Sequence, residues 1–145
     1  MIVVISCSHF PDDERIYHKE IQAILEQGYF VKYFTYAKPK IDLSDKNIIH
    51  LNYDISEISL KTYLILVEEQ LINHPPKVIH IHEPELFSLA VKLKKAFNTK
   101  IIYDVHEDYP SMIDTFSRLK NPLKNIKIKY WKLKERSFLK YVDEI

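Results

Sequence analysis

Glycine is almost missing from this chain, with one residue, Gly28, in 145. That scarcity removes two ligand classes. A dinucleotide fingerprint needs glycines after the first strand so that backbone can approach a pyrophosphate, and a Walker-type loop needs them to cradle phosphates. Neither pattern occurs, which argues against NAD or ATP held in the usual way. Cysteine is as scarce. Cys7 alone excludes an intramolecular disulfide framework and any multi-cysteine zinc site, and fits a reducing cytosol. No apolar run approaches the length of a membrane span. The opening Met1 to Ser6 has no basic leader or small-residue cleavage site, so it reads as a buried strand and not as a signal peptide. These absences point to a cytoplasmic protein, soluble or bound to a surface.

Charge is nearly balanced overall at +1 but unevenly spread. The stretch from Arg118 to Lys140 holds nine Lys or Arg against one acid, Glu135, whereas residues 1–117 hold twelve bases and seventeen acids. A basic segment on a mildly acidic body points to a local anionic partner and away from general nucleic-acid binding.

With 46% apolar residues, the chain can bury one sizeable core but not two. Short β-branched runs alternate with segments of helical period, the pattern of a parallel sheet with crossover helices. Strands are expected at Ile2 to Ser6, Phe30 to Tyr36, Asn47 to Leu51, Lys77 to Ile81 and Lys100 to Val105. Val142 to Ile145 reads as the opening of a sixth, and so as a cut through a longer protein. The first helix shows Tyr17, Ile21, Ile24 and Leu25 on one face. Pro11, Asp12, Asp13 and Glu14 open it, and Gly28 closes it where a left-handed residue usually sits. Two more helices carry Leu60, Tyr63, Leu64, Val67, Leu71 and Leu86, Leu89, Ala90, Leu93, Phe97 at helical offsets, and a long polar-basic helical region runs to about Tyr141. The fold class that follows is α/β, a Rossmann-like doubly wound parallel sheet in three layers.

Ligands of such sheets bind beyond the carboxyl ends of the strands. Three loops leave those ends with polar side chains: Ser8-His9-Phe10-Pro11, His82-Glu83-Pro84-Glu85 and His106-Glu107-Asp108-Tyr109. If the first, fourth and fifth strands are neighbours, these loops converge on one cleft. Imidazoles and carboxylates suit a polyhydroxylated ligand or acid–base work. The competing roles are structural. Glu107 and Asp108 can favour a helix N-terminus, His80 suits a satisfied core histidine, Arg15 can pair with a nearby carboxylate, and Cys7 reads as a small buried apolar residue. Zinc held by His80, His82 and His106 is geometrically conceivable, because alternate strand residues share a face, but the spacing matches no standard zinc motif.

The runs His80-Ile81-His82-Glu83-Pro84-Glu85-Leu86 and Ile101-Ile102-Tyr103-Asp104-Val105-His106-Glu107-Asp108-Tyr109-Pro110, with Asp12-Asp13-Glu14-Arg15-Ile16-Tyr17-His18-Lys19-Glu20 and Lys134-Glu135-Arg136 before Val142-Asp143, resemble the N-terminal domain of glycosyltransferase family four. The resemblance runs the length of the chain. It implies one half of a GT-B architecture, with residues 1–145 as the acceptor-binding domain before a C-terminal nucleotide-sugar-binding domain. It implies retaining transfer from a nucleotide sugar to a glycan or lipid-linked acceptor in cell-surface polysaccharide synthesis, without a cofactor or metal. His106 matches the family histidine that faces the reaction centre. Ser8, His9, His82, Glu83, Glu107, Asp108 and Tyr109 become substrate-binding candidates. The rivals are a non-catalytic binding domain of the same fold and a GT-B nucleotide-sugar epimerase.

In the basic segment Leu123, Ile126, Tyr130 and Leu133 form one helical face, while Trp131, Phe138 and many lysines lie elsewhere, so not every aromatic can pack on the core. Lys127, Trp131, Lys134 and Phe138 are the residues expected to meet an anionic membrane surface, as a peripheral contact on the inner face of the cell membrane. The alternative is a solvated helix face.

Overall fold

The computed structural model describes residues 1–38, 41–105, 108–117 and 120–145. Five parallel strands form one sheet: β1 (Ile2–Ile5), β2 (Val31–Tyr36), β3 (Ile48–Tyr53), β4 (Val78–Ile81) and β5 (Lys100–Tyr103). Their order is β3-β2-β1-β4-β5, so β1, β4 and β5 are neighbours as a doubly wound fold requires. In register, Ile5 lies between Phe34 and Ile81. The sixth-strand expectation is met at its first step: Glu144 bridges Ile102 in parallel, and the Asp143 amide donates to the Ile101 carbonyl at 2.9 Å.

The helices are α1 (Gln22–Glu26), entered through a π-helical turn at Ile16–Ile21, then α2 (Leu60–Asn73), α3 (Phe87–Phe97), α4 (Tyr109–Phe116) and α5 (Asn121–Phe138). Ser59 caps α2, its hydroxyl accepting from the Thr62 amide at 3.1 Å. Gly28 takes the left-handed conformation expected after α1, with φ +77°. The first helix starts later than the acidic run suggests. Asp13 is its capping group: its carboxylate accepts from the Arg15 and Ile16 amides, and its carbonyl from the Tyr17 and His18 amides.

The sheet buries both faces, unequally. One carries Val3, Ile5, Phe34, Ile79, Ile81, Ile101 and Tyr103 against Tyr63, Val67 and Leu71 of α2 and Leu89, Ala90 and Leu93 of α3. The other is a smaller cluster of Val4, Val31, Tyr33 and Ile48 under Ile16 and Ile21. Between β2 and β3 the described residues form no helix, so α1 and its π-helical turn are the helical cover of that side. Burying a large aliphatic side chain contributes about 1.5–3 kcal/mol, which places most of the fold's stability on the first face.

The orientation of α5 reverses the sequence expectation. Phe138 is core, 3% exposed and stacked on Phe87 with ring centroids 3.8 Å apart, and its ring edge meets Tyr103. It has no surface to offer a membrane. Leu123, Ile126, Tyr130 and Leu133, the face that looked core-directed, are 57–65% exposed. Both sides of α5 carry apolar groups, so periodicity alone leaves its rotation open.

Candidate functional site

The loops after β1 and β4 meet at the carboxyl edge of the sheet, joined by Glu83. One oxygen of its buried carboxylate, Oε1, accepts from the Ser6 hydroxyl (2.8 Å), the Cys7 and Ser8 amides (3.0 Å each) and the Ser8 hydroxyl (3.0 Å). A carboxylate gathering backbone and hydroxyl donors is a strong, geometry-setting interaction. Glu83 is 2% exposed, so in this structure it fixes the β1 loop and presents no surface to a substrate. Burial, with Glu83 beside it, raises the Cys7 thiol well above its ordinary range, which makes Cys7 an inert apolar filler.

A second cluster lies on the less covered face of the sheet. His80 stands opposite Val4 and Ile102 in register, which puts it on the α1 side, and His82 follows two residues on. Glu20 Oε2 lies 3.7 Å from His80 Nε2 and 3.6 Å from His82 Nε2, and Asp104 Oδ2 lies 3.6 Å from His82 Nδ1. The Arg15 guanidinium lies against the cluster, bonded to Asp104 Oδ1 and 3.4 Å from Glu20 Oε1. Burial first, and then the neighbouring Asp104 carboxylate, push the Glu20 carboxyl up to about 8, against the opposing pull of Arg15.

The π-helical turn explains why Arg15 and Glu20 act together. The Glu20 amide donates to the Arg15 carbonyl at 3.0 Å, an i to i+5 bond. In such a turn, residues five apart stack on one side as residues four apart do in an α-helix. Glu20 was not legible as a site residue because the 3.6 period assigns it another direction. Asp104 had a visible signal: a charge at the end of an apolar strand. Arg15 pairs with carboxylates as expected. Glu20, His80, His82 and Asp104 offer four ligand atoms within 4.8 Å of one another, and are the group among the described residues able to hold a metal ion. This is a different set from the three histidines weighed on sequence, of which His106 lies outside the described residues. Two nitrogens and two oxygens suit zinc, but Arg15 already supplies a positive charge to both carboxylates.

Open space lies elsewhere on the same edge. A cleft of about 520 Å³ beyond the ends of β1 and β2 is lined by Ser8, His9, Phe10, Tyr36, Lys38 and Ile55 among others. His9 is held there by Asp13, with Nδ1 3.5 Å from Oδ2. Phe10 is 64% exposed. Ser8 and His9 line this cleft, whereas the His82 side chain is wholly buried beside Glu20 and Asp104. Asp108 caps α4, accepting from the Ser111 amide at 3.2 Å, and hydrogen bonds from the Ser111 hydroxyl first and its amide second lower the carboxyl's pKa. Of the remaining candidates, His106, Glu107 and the Tyr109 side chain lie outside the described residues. Phe10 belongs to the loop singled out on sequence; Tyr36, Lys38 and Ile55 were missed because the ends of β2 and β3 come beside the β1 loop only in three dimensions.

Comparison with protein-family models gives no match, and neither does comparison with curated proteins. Among solved structures, the chain is similar to the apo structure of OtsA, with 13% sequence identity, 80% of this chain and 36% of that chain covered, and a TM-score of 0.47. The chain therefore spans about a third of the length of the structure it matches.

Proposed function

We propose that this chain is the acceptor-side domain of a retaining glycosyltransferase, which receives a sugar from a nucleotide-sugar donor held by a separate C-terminal domain. The observation that carries the reading is the cleft of Ser8, His9, Phe10, Tyr36 and Lys38 at the carboxyl edge of a Rossmann-like sheet whose first loop lacks phosphate-cradling glycines. Hydroxyl, imidazole and ammonium groups beside an exposed aromatic ring match a hydroxyl-rich acceptor, since a sugar offers donors, acceptors and an apolar C–H face together. A glycan or lipid-linked glycan of a surface polysaccharide has that chemistry. His106 follows β5 in sequence and is assigned to the reaction centre by its motif. In this reading the Glu20–Asp104 pair keeps a proton and Arg15 in place of a metal, and holds β4, β5 and α1 in the relation the loops need.

The test is nucleotide-sugar consumption by the full-length protein over a panel of donors, with and without EDTA. Turnover that survives EDTA, falls by more than a hundredfold in His106→Ala and shows a raised acceptor KM with kcat kept in Phe10→Ala supports the proposal. A folded protein that turns over no donor, with His106→Ala indistinguishable from it, overturns it in favour of a binding domain. Turnover that interconverts donors without transfer points to an epimerase. Residues 1–145 alone are expected to be inactive.

A further inference from the structure

The outward side of α5 has no role in the cleft or the core. Leu123, Ile126, Tyr130 and Leu133 follow one another at intervals of three, four and three residues and are 57–65% exposed. At about 100° per residue they form a stripe roughly 80° wide. Lys127 and Lys134 border it on one flank, Lys129 and Arg136 on the other. The adjoining side of the helix, beyond Lys127 and Lys134, holds it to the body through Phe138 on Phe87 and through Glu135, which accepts from the Tyr103 hydroxyl at 3.3 Å. Tyr130 and Leu133 also form one wall of an apolar groove of about 490 Å³ that continues the stripe towards Phe87, Val91 and Tyr141 on α3 and the chain's last turn.

An aligned apolar row of this kind is unusual on a water-facing helix, where scattered apolar residues are the norm. The flanking charge selects the partner. Nine bases against one acid between Arg118 and Lys140 complement a negative surface. A nucleic acid would satisfy the lysines but offer nothing to the leucine and isoleucine row. An anionic bilayer satisfies both, with apolar side chains entering the acyl boundary and lysine stems reaching back to the headgroups. Among the described residues no helix is long and apolar enough to cross a membrane, so the contact would lie in the plane of the surface.

We propose that α5 docks this protein on an anionic lipid surface through Leu123, Ile126, Tyr130 and Leu133, with Lys127, Lys129, Lys134 and Arg136 meeting the headgroups. Compared with the sequence expectation, this keeps Lys127 and Lys134, moves Trp131 to the half-buried shoulder where Lys134 covers its ring, and excludes Phe138. The surface is independent of the sugar-transfer reading, because neither the cleft nor His106 takes part in it.

The experiment is sedimentation of the full chain with phosphatidylglycerol-containing vesicles and with pure phosphatidylcholine vesicles, at low and high salt. Binding to the anionic vesicles at least tenfold tighter than to the neutral ones is expected, weakening with salt. Ile126→Glu combined with Leu133→Glu is expected to lower that binding at least tenfold with the thermal midpoint and circular dichroism unchanged, since both residues are exposed. Tyr130→Trp, which keeps the row apolar, is expected to retain it. No binding to anionic vesicles at low salt, or undiminished binding by the double variant, overturns the proposal. A concentration-dependent dimer that the double variant abolishes, without vesicle binding, overturns it in favour of a second copy.

Discussion

The two faces of the sheet are built by opposite rules. Under α2 and α3, apolar side chains interlock and the aromatic trio Phe87, Tyr103 and Phe138 pins the end of α5. Under α1, a short apolar cluster beside β1 to β3 gives way to a histidine and carboxylate group at β4 and β5. Burying ionisable groups costs free energy unless each finds a partner, so the second face gives up stability where the first collects it. A sheet that is inert on one face can hold reactive or titratable groups on the other without losing its shape.

The comparison breaks most visibly at Phe138. Phe138→Ala removes a stacked ring from the apolar face and is expected to cost about 3–5 kcal/mol, read as a lower urea midpoint. The same substitution in Tyr130, on the outer side of the same helix, should stay within about 0.5 kcal/mol. Glu83→Ala comes next. It leaves the Ser6 hydroxyl and the Cys7 amide buried without their acceptor, at an expected cost of about 2–4 kcal/mol, with faster hydrogen exchange at Cys7 and Ser8.

The last effect is specific to the polar face and to one pH window. An unfolded glutamate titrates near 4.5, while Glu20 in the fold is pushed up to about 8. Between those values the folded chain keeps a proton that the unfolded chain has released, so this contribution is fully present below 4.5 and is lost as pH rises through 8. Thermal midpoints of wild type should therefore fall, relative to Glu20→Gln, across that window. Parallel curves for the two proteins would remove the shared proton from the cluster.

Much of this contrast was legible in sequence. The alternation of strands and helices gave a doubly wound parallel sheet in which β1, β4 and β5 could be neighbours, the apolar faces of α2 and α3, and the left-handed Gly28. His80 and His82 could be placed on one face because strand periodicity is strict. Two features were hidden, for physical reasons. The π-helical turn inserts a residue into the helical phase and so conceals Glu20. The rotation of α5 depends on which of its two apolar sides meets Phe87, a choice made by shape complementarity with α3 and not by hydropathy.

The Glu83 clasp also orders events in time. The β1 loop takes its shape from an acceptor that lies 75 residues later than Ser8 in the chain. Closing so long a segment comes before any reward from the contact. The loop after β1 is synthesised well before its acceptor and is completed only with it, so the rim of the cleft takes its shape after β4 has joined the sheet.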